Sequence, residues 1–190
     1  MDIIPLIKMK NQETIDEKTS LVDDLLKEFN EEQIIYILDY DGINKNKPNL
    51  CTFQRVTKNH PIWVDTGPRN LGDVVDAFMA GATAITIRES LFKKLNMPSI
   101  REITENKIYL NIDFDNPQYH QEIDGLTIFK EKEEIEMNMD YINLIKKHSL
   151  DNNLYSYETN PINISYWKNF KIKGLLVDIN KIQEFEQNAL

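Results

Sequence analysis

The sequence predicts an α/β fold, a compact (β/α)8 TIM barrel with shortened or missing helices. Three observations lead there. β-Branched apolar runs recur, and each closes on polar groups: QIIYIL on Asp39, Asp41 and Gly42, PIWV on Asp65, Thr66, Gly67 and Arg69, TAITI on Arg88, Glu89 and Ser90. Amphipathic helical segments separate the runs. Polar tips repeated at one end of doubly buried strands are the pattern of a parallel barrel, which keeps its chemistry at the strand ends. No linker rich in Pro, Gly or Ser divides the 190 residues, so the chain reads as one domain over 1–190. An open doubly wound sheet is the alternative; eight strands favour closure, in a chain shorter than the roughly 250 residues usual for such barrels.

The elements follow from periodicity. Strand one is Ile3–Ile7, with Pro5 a mark against a regular central strand. The polar segment Lys10–Lys18 reads as irregular. A helix over Ser20–Asn30 has Ser20 as N-cap and Leu21, Val22, Leu25, Leu26 and Phe29 on one face. Strand two is Gln33–Leu38, a short helix Pro48–Asn59, and strand three Pro61–Val64. Asn70–Ala80 is the clearest helix, capped by Asn70, striped by Leu71, Val74, Val75 and Phe78, and stopped by Gly81. Strand four is Thr83–Ile87, a weak helix Pro98–Glu105, strand five Lys107–Ile112 and strand six Gly125–Phe129. A long helix over Glu133–His148 turns Ile135, Met139, Ile142 and Ile145 inward. Strand seven is Asn153–Tyr157, strand eight Gly174–Val177, with Ile164–Phe170 helical between them and Ile179–Asn188 as the last helix.

Composition narrows the function classes. Hydrophobic residues make up 41% and charged residues 28%, an ordinary globular balance. No apolar stretch approaches the roughly 18–20 residues of a membrane span, and MDIIPLIKMK lacks the form of a secretory signal, so a cytoplasmic location is expected. A formal charge of −9 argues against a nucleic-acid partner. Lone Cys51 reads as a packed thiol, and His60, His120 and His148 have no metal-ligand spacing. No cofactor or resident metal is expected.

The predicted rim gathers Asp39, Asp41, Asp65, Glu89, Asp113, Asp115, Glu158 and Asp178, with Lys8, Arg69, Arg88 and Lys130 at the same level. Carboxylates brought close raise one another's pKa or require a cation among them. Three readings follow: an acid–base pair such as Asp113 with Asp39, Mg²⁺ held by two or three oxygens, or a face that accepts a basic partner. Any one of these acids can equally cap a helix or bond a turn. Lys8 reads as either a salt-bridge partner of Asp113 or a functional amine. Trp63, Tyr166 and Trp167 read as packing, and KEKEEIE at Lys130–Glu136 as the solvated start of a helix.

Five segments carry a family resemblance: IIPLIKM (Ile3–Met9), YILDYDG (Tyr36–Gly42), WVDTGPR (Trp63–Arg69), AGATAITIRESL (Ala80–Leu91) and YLNIDF (Tyr109–Phe114). In order and spacing they resemble the histidine-biosynthesis isomerase family, which comprises ProFAR isomerase, HisA, and its sister cyclase, HisF. The chain looks closest to the short HisA-related proteins of methanogenic archaea. The resemblance implies a barrel in which aspartates on strands one and five act as general base and acid in an Amadori rearrangement. Asp113 matches the second; the position of the first is Lys8. Of the family's phosphate-binding GGGIR after strand three, only Gly67 and Arg69 remain, beside Asp65. Its GT after strand four is Arg88-Glu89. Its glycine-rich turns after strands seven and eight are Glu158-Thr159-Asn160-Pro161 and Asp178-Ile179-Asn180-Lys181. A side chain there blocks close backbone approach to an anion.

The expectation is therefore a HisA-like barrel acting on a small carbonyl- or amine-bearing metabolite by intramolecular isomerisation. Asp113, Asp39 and Lys8 are the catalytic candidates; Asp41, Asp65, Gly67, Arg69, Arg88 and Glu89 are the substrate-binding ones. The alternative is a non-catalytic barrel kept for binding or assembly, and true ProFAR isomerase activity is a lesser one. A homodimer is expected from exposed aromatic residues flanking the strands.

Overall fold

Nine strands form one sheet. They are β1 (Asp2–Lys10), β2 (Glu13–Thr14), β3 (Ile35–Asp39), β4 (Ile62–Asp65), β5 (Ala84–Arg88), β6 (Lys107–Asn111), β7 (Gly125–Ile128), β8 (Asn153–Tyr157) and β9 (Gly174–Asp178). All but β2 pair in parallel in chain order, and β9 returns to pair with β1. The result is a closed eight-stranded parallel barrel. This computed structural model describes residues 1–11, 13–14, 26–27, 29–112, 122–151 and 153–189.

Helices wrap the barrel: α1 (Tyr40–Lys45), α2 (Leu50–Val56), α3 (Leu71–Met79), α4 (Met97–Arg101), α5 (Lys132–Glu136), α6 (Met139–Asp151), α7 (Ile164–Asn169) and α8 (Ile182–Ala189). Several are only one or two turns long, as the short chain demands. The expected helix at Ser20–Asn30 lies largely outside the described residues.

Several elements differ from expectation. β1 runs to Lys10 because Lys8 and Met9 continue the ladder with Leu38 and Asp39 of β3. Beyond it the polar segment turns at Asn11, which takes a left-handed φ of 54°, and Glu13–Thr14 pairs back on Met9–Lys10. Pro5 sits inside this central strand opposite Val177; it removes one ladder donor without breaking the strand. The long helix divides at Asn138, whose side chain accepts from the Asp140 amide and starts α6 afresh, leaving Met139 exposed. Ile179–Lys181 is a 3₁₀ turn preceding α8. Cys51 is exposed, not packed, because α2 turns Phe53 and Val56 inward.

Alternation of period two sorts the strand residues. One set of side chains (Ile7, Ile37, Val64, Ile85, Ile87, Ile108, Leu110, Val177) packs under the helices. The other fills the barrel: Ile4, Leu6, Tyr36, Leu38, Trp63, Ala84, Tyr109, Tyr155 and Leu176. Trp63, Tyr109 and Tyr155 come from alternate barrel strands and meet at the centre, with ring centroids 3.9 Å apart for Trp63–Tyr109 and 5.1 Å for Trp63–Tyr155. Such large rings fit because the strands next after them supply only Ala84, Gly125 and Gly174 at that level. A Cβ on Gly125 would press on the Asn153 carbonyl oxygen and come 2.9 Å from the Tyr109 ring; one on Gly174 would lie 2.9 Å from Tyr155. The plug is a packed core, not a channel.

The small-residue strands set this packing, so Gly125→Ala is expected to cost about 2–3 kcal/mol through overpacking. Thermal unfolding should register this as a fall of about 6–9 °C; an unchanged melting temperature would contradict the packing described.

Candidate functional site

Above the aromatic plug, the same inward alternation continues to the C-terminal mouth and changes chemistry. On β1 it passes Ile4 and Leu6 to reach Lys8; on β8, Tyr155 to Tyr157; on β9, Leu176 to Asp178. These three side chains meet. The Lys8 ammonium donates to the Tyr157 hydroxyl at 2.6 Å and lies 2.8 and 3.0 Å from the two Asp178 oxygens. Tyr157 in turn donates to Asp178 at 2.8 Å. The first strand thus meets the last two in a triangle across the seam that closes the ring.

Its electrostatics fix the protons. Burial works to lower the Lys8 pKa, but the Asp178 and Tyr157 hydrogen bonds and the Asp178 charge together outweigh it and leave it raised. Burial pushes the Tyr157 phenol up to about 12, with Asp178 adding to the rise and Lys8 opposing it. At neutral pH Lys8 is an ammonium and Tyr157 a neutral phenol. A free-amine base at Lys8 would need the opposite shift.

A second cluster faces the first. Arg88, from β5, holds Asp65 of β4 with its Nε at 2.9 and 3.1 Å and a terminal nitrogen at 2.7 Å. Asp65 is fully buried. The Tyr36 hydroxyl lies 3.4 Å from Asp65 and 3.1 Å from Thr86 Oγ1, which also accepts from the Trp63 indole at 2.9 Å. Burial and the Asp65 charge raise the Tyr36 pKa well above its ordinary value. Phe129 joins the clusters: its ring stacks on Tyr157 with centroids 5.7 Å apart, and Arg88 lies 5.4 Å from its centroid.

The remaining candidates separate. Asp39 has the outward parity of Ile35 and Ile37, so it faces α1 instead of the mouth. Its Oδ1 accepts from the Asp41 and Gly42 amides and the Asn49 side chain, and its Oδ2 from the Asn49 amide at 2.7 Å. Burial raises its pKa and these donors oppose the rise. Asp41 lies 3.0 Å from Lys45, one turn along α1. Glu89 is half-buried just past β5. Glu158 accepts from the Thr159 and Asn160 amides, Asn163 and the Trp167 indole, fixing the start of α7. Asp39, Asp65, Glu158 and Asp178 therefore do not form one acidic ring, and among the described residues no three His, Cys, Asp or Glu side chains group as a metal site. Asp113 and Asp115 lie outside the described residues.

Gly67 and Arg69 weld two loops. Gly67 takes φ +61°, and a Cβ there would come 2.9 Å from Ile43 Cα, so glycine is required on both counts. Arg69 donates to the carbonyls of Gly42, Gly67 and Ile43 and to Asn46 Oδ1, at 2.7–3.1 Å. Its guanidinium thus closes the β3–α1 turn onto the loop after β4. Tyr157 was not among the residues the sequence singled out, and Asp178 stood only in the general list of acids. The signal for both was parity, two residues beyond the plug residues Tyr155 and Leu176.

Tyr36, Tyr109, Tyr155, Tyr157 and Tyr166 all have raised pKa values, with burial the leading cause in each. Such groups, like Lys8, hold their protons longer folded than unfolded, so their contribution is complete below about pH 10 and is lost as pH rises beyond it. Absorbance at 295 nm should show these five of the eight tyrosines ionising only well above about pH 10 or on unfolding, with the melting temperature falling as pH rises beyond about 10. Ionisation of all eight near pH 10 in folded protein would refute the burial argument. Asp39→Ala should cost about 2 kcal/mol in chemical denaturation by loss of the α1 cap.

Comparison with known proteins bears on this geometry. The family described as "Histidine biosynthesis protein" matches residues 3–153. No curated protein sequence matches the chain. Among solved structures, a putative dihydrodipicolinate synthetase from Pseudomonas aeruginosa superposes with a TM-score of 0.58 at 13% identity, over 98% of this chain and 73% of that one. Dihydrodipicolinate synthase from Thermotoga maritima gives 0.57 at 13% identity, over 98% and 72%. A monomeric dihydrodipicolinate synthase variant gives 0.57 at 12% identity, over 98% and 74%. At such identities these likenesses show the barrel fold alone.

Proposed function

The chain belongs to the histidine biosynthesis protein family, and from that premise we propose that it is a HisA-like acid–base isomerase working on a small carbonyl- or amine-bearing metabolite at the barrel mouth. One observation carries this reading: Lys8, Tyr157 and Asp178 converge from three strands, with Lys8 at the position where the resemblance implies a catalytic aspartate. Buried charge is costly unless paired and hydrogen-bonded, and an apolar plug of the same volume serves stability at least as well.

The chemistry follows from the protonation states. A half-buried ammonium beside a neutral phenol suits the oxygen of an enolate or the nitrogen of an enamine, where negative charge develops as a C–H proton leaves. In this reading Asp113, the match to the family's strand-five aspartate, removes the proton from one carbon and returns it to the next. The Lys8 ammonium stabilises the intermediate, while Asp178 and the Tyr157 hydroxyl, itself bonded to Asp178, hold that ammonium in place. Substrate and product are isomers, so no co-reactant is required.

A specific observation favours a second reading, in which the barrel binds or assembles without catalysis. Arg69, a remnant of the family's phosphate loop, is engaged by three backbone carbonyls, and Arg88 is closed on Asp65. The bisphosphate-type substrate of ProFAR isomerase finds neither cation open, so rescue of a strain lacking that isomerase is expected to fail.

Incubation with a panel of aldoses, aminoaldoses and 2-oxo acids in D₂O, followed by proton NMR, tests the catalytic reading. Wild type is expected to exchange a C–H proton α to the carbonyl of one class. Lys8→Met, Tyr157→Phe and Asp113→Asn should each slow this exchange about 100-fold or more. Absence of exchange across the panel, or exchange unaffected by Lys8→Met, would leave the binding reading.

A further inference from the structure

Helix α3 departs from the rest of the outer ring. Around a barrel, a helix should be apolar toward the strands and polar toward water. The outward residues of α8 obey this, with Gln183, Glu184, Glu186 and Gln187 exposed. In α3 the inward side is Val74 and Ala77, yet beside exposed Gly72 and Asp76 three apolar residues also face outward: Leu71 is 37%, Val75 38% and Met79 78% exposed. These stand at i, i+4 and i+8, one straight stripe along the helix. Gly72 is on the same exposed side, with only the Asn70 side chain near the space a Cβ would fill. A continuous exposed apolar stripe along a helix is a candidate contact surface.

We infer that this chain forms a two-fold dimer by packing α3 antiparallel against α3 of a second copy. The stripe is self-complementary under such an axis: Val75 meets Val75 at the centre, and Leu71 of one copy meets Met79 of the other. That correspondence is the signature of an isologous interface. Gly72 lets the helices approach within or below the usual 8–10 Å.

A nine-residue helix is only about 14 Å long, too short alone for the roughly 800 Å² per partner of a stable interface. The surface continues beyond the helix itself. Beyond Leu71 it opens into a 740 Å³ cleft floored by Leu91, Phe92 and Ile100 and rimmed by Lys93 and Lys94. Helix α4 packs beside α3 and is followed by Ile103, 45% exposed. Antiparallel packing seats the C-terminal end of one α3 at the cleft end of the other. That end carries the negative pole of its helix dipole and no basic residue in its last turn, so it faces Lys93 and Lys94 with complementary charge. A second copy satisfies shape, axis and charge together.

The test uses single cysteines in the full-length chain with exposed Cys51 replaced by serine. Under mild oxidation Val75→Cys should form a covalent dimer nearly completely. Leu71→Cys alone and Met79→Cys alone should not, because each would face its own copy about 12 Å away along the helix. A mixture of these two variants should cross-link. Sedimentation velocity should find the unmodified protein dimeric and Val75→Arg monomeric, with an unchanged circular dichroism spectrum. A monomeric unmodified protein, a dimer that survives Val75→Arg, or cross-linking of Leu71→Cys to itself would each overturn the assignment.

Discussion

Closure of the ring between β1 and β9 is the constraint on which everything else rests. Once the sheet closes, every second side chain must point into a lumen of fixed width. That space is filled by Trp63, Tyr109 and Tyr155, which are accommodated because Gly125, Gly174 and Ala84 leave room for them. The plug supports the mouth. It forms the floor beneath Lys8, Asp65, Arg88, Tyr157 and Asp178, and its Trp63 indole reaches up to hold Thr86 under Tyr36. Core packing and candidate chemistry are successive levels of one column of alternating residues.

The mouth is charged but internally balanced. Lys8 is matched by Asp178 and Arg88 by Asp65; the Tyr157 hydroxyl bridges the first pair, and that of Tyr36 lies beside Asp65 in the second. Low local dielectric strengthens such pairs and makes any unpaired member costly. Each cation at the mouth is therefore held in place by its own carboxylate partner. The loops are fastened as well: Gly67 and Arg69 bind turn to turn.

The outer ring adds a separate consideration. Helices this short contribute little intrinsic stability, and most hold through one or two buried residues each. α3 is the exception in presenting apolar residues on both sides, which links the stability of the barrel's flank to what covers it.

The sequence by itself determined the strands, their parallel order and the family, because period-two apolar runs and their polar ends are local properties of the chain. It also marked Lys8, Asp65 and Arg88 as mouth residues. It did not separate Asp39 from them, although Asp39 lies one residue out of phase with Tyr36 and Leu38; parity alone could have placed it on the helix side. Only the tertiary structure decided which acid meets which cation, since Lys8 and Asp178 are 170 positions apart and adjoin solely because the ring closes. Likewise, the apolar residues of α3 spread well beyond one narrow face, so periodicity could not choose its inward edge. The barrel chose small Val74 and Ala77, which allow close approach, and left Leu71 and Val75 outside.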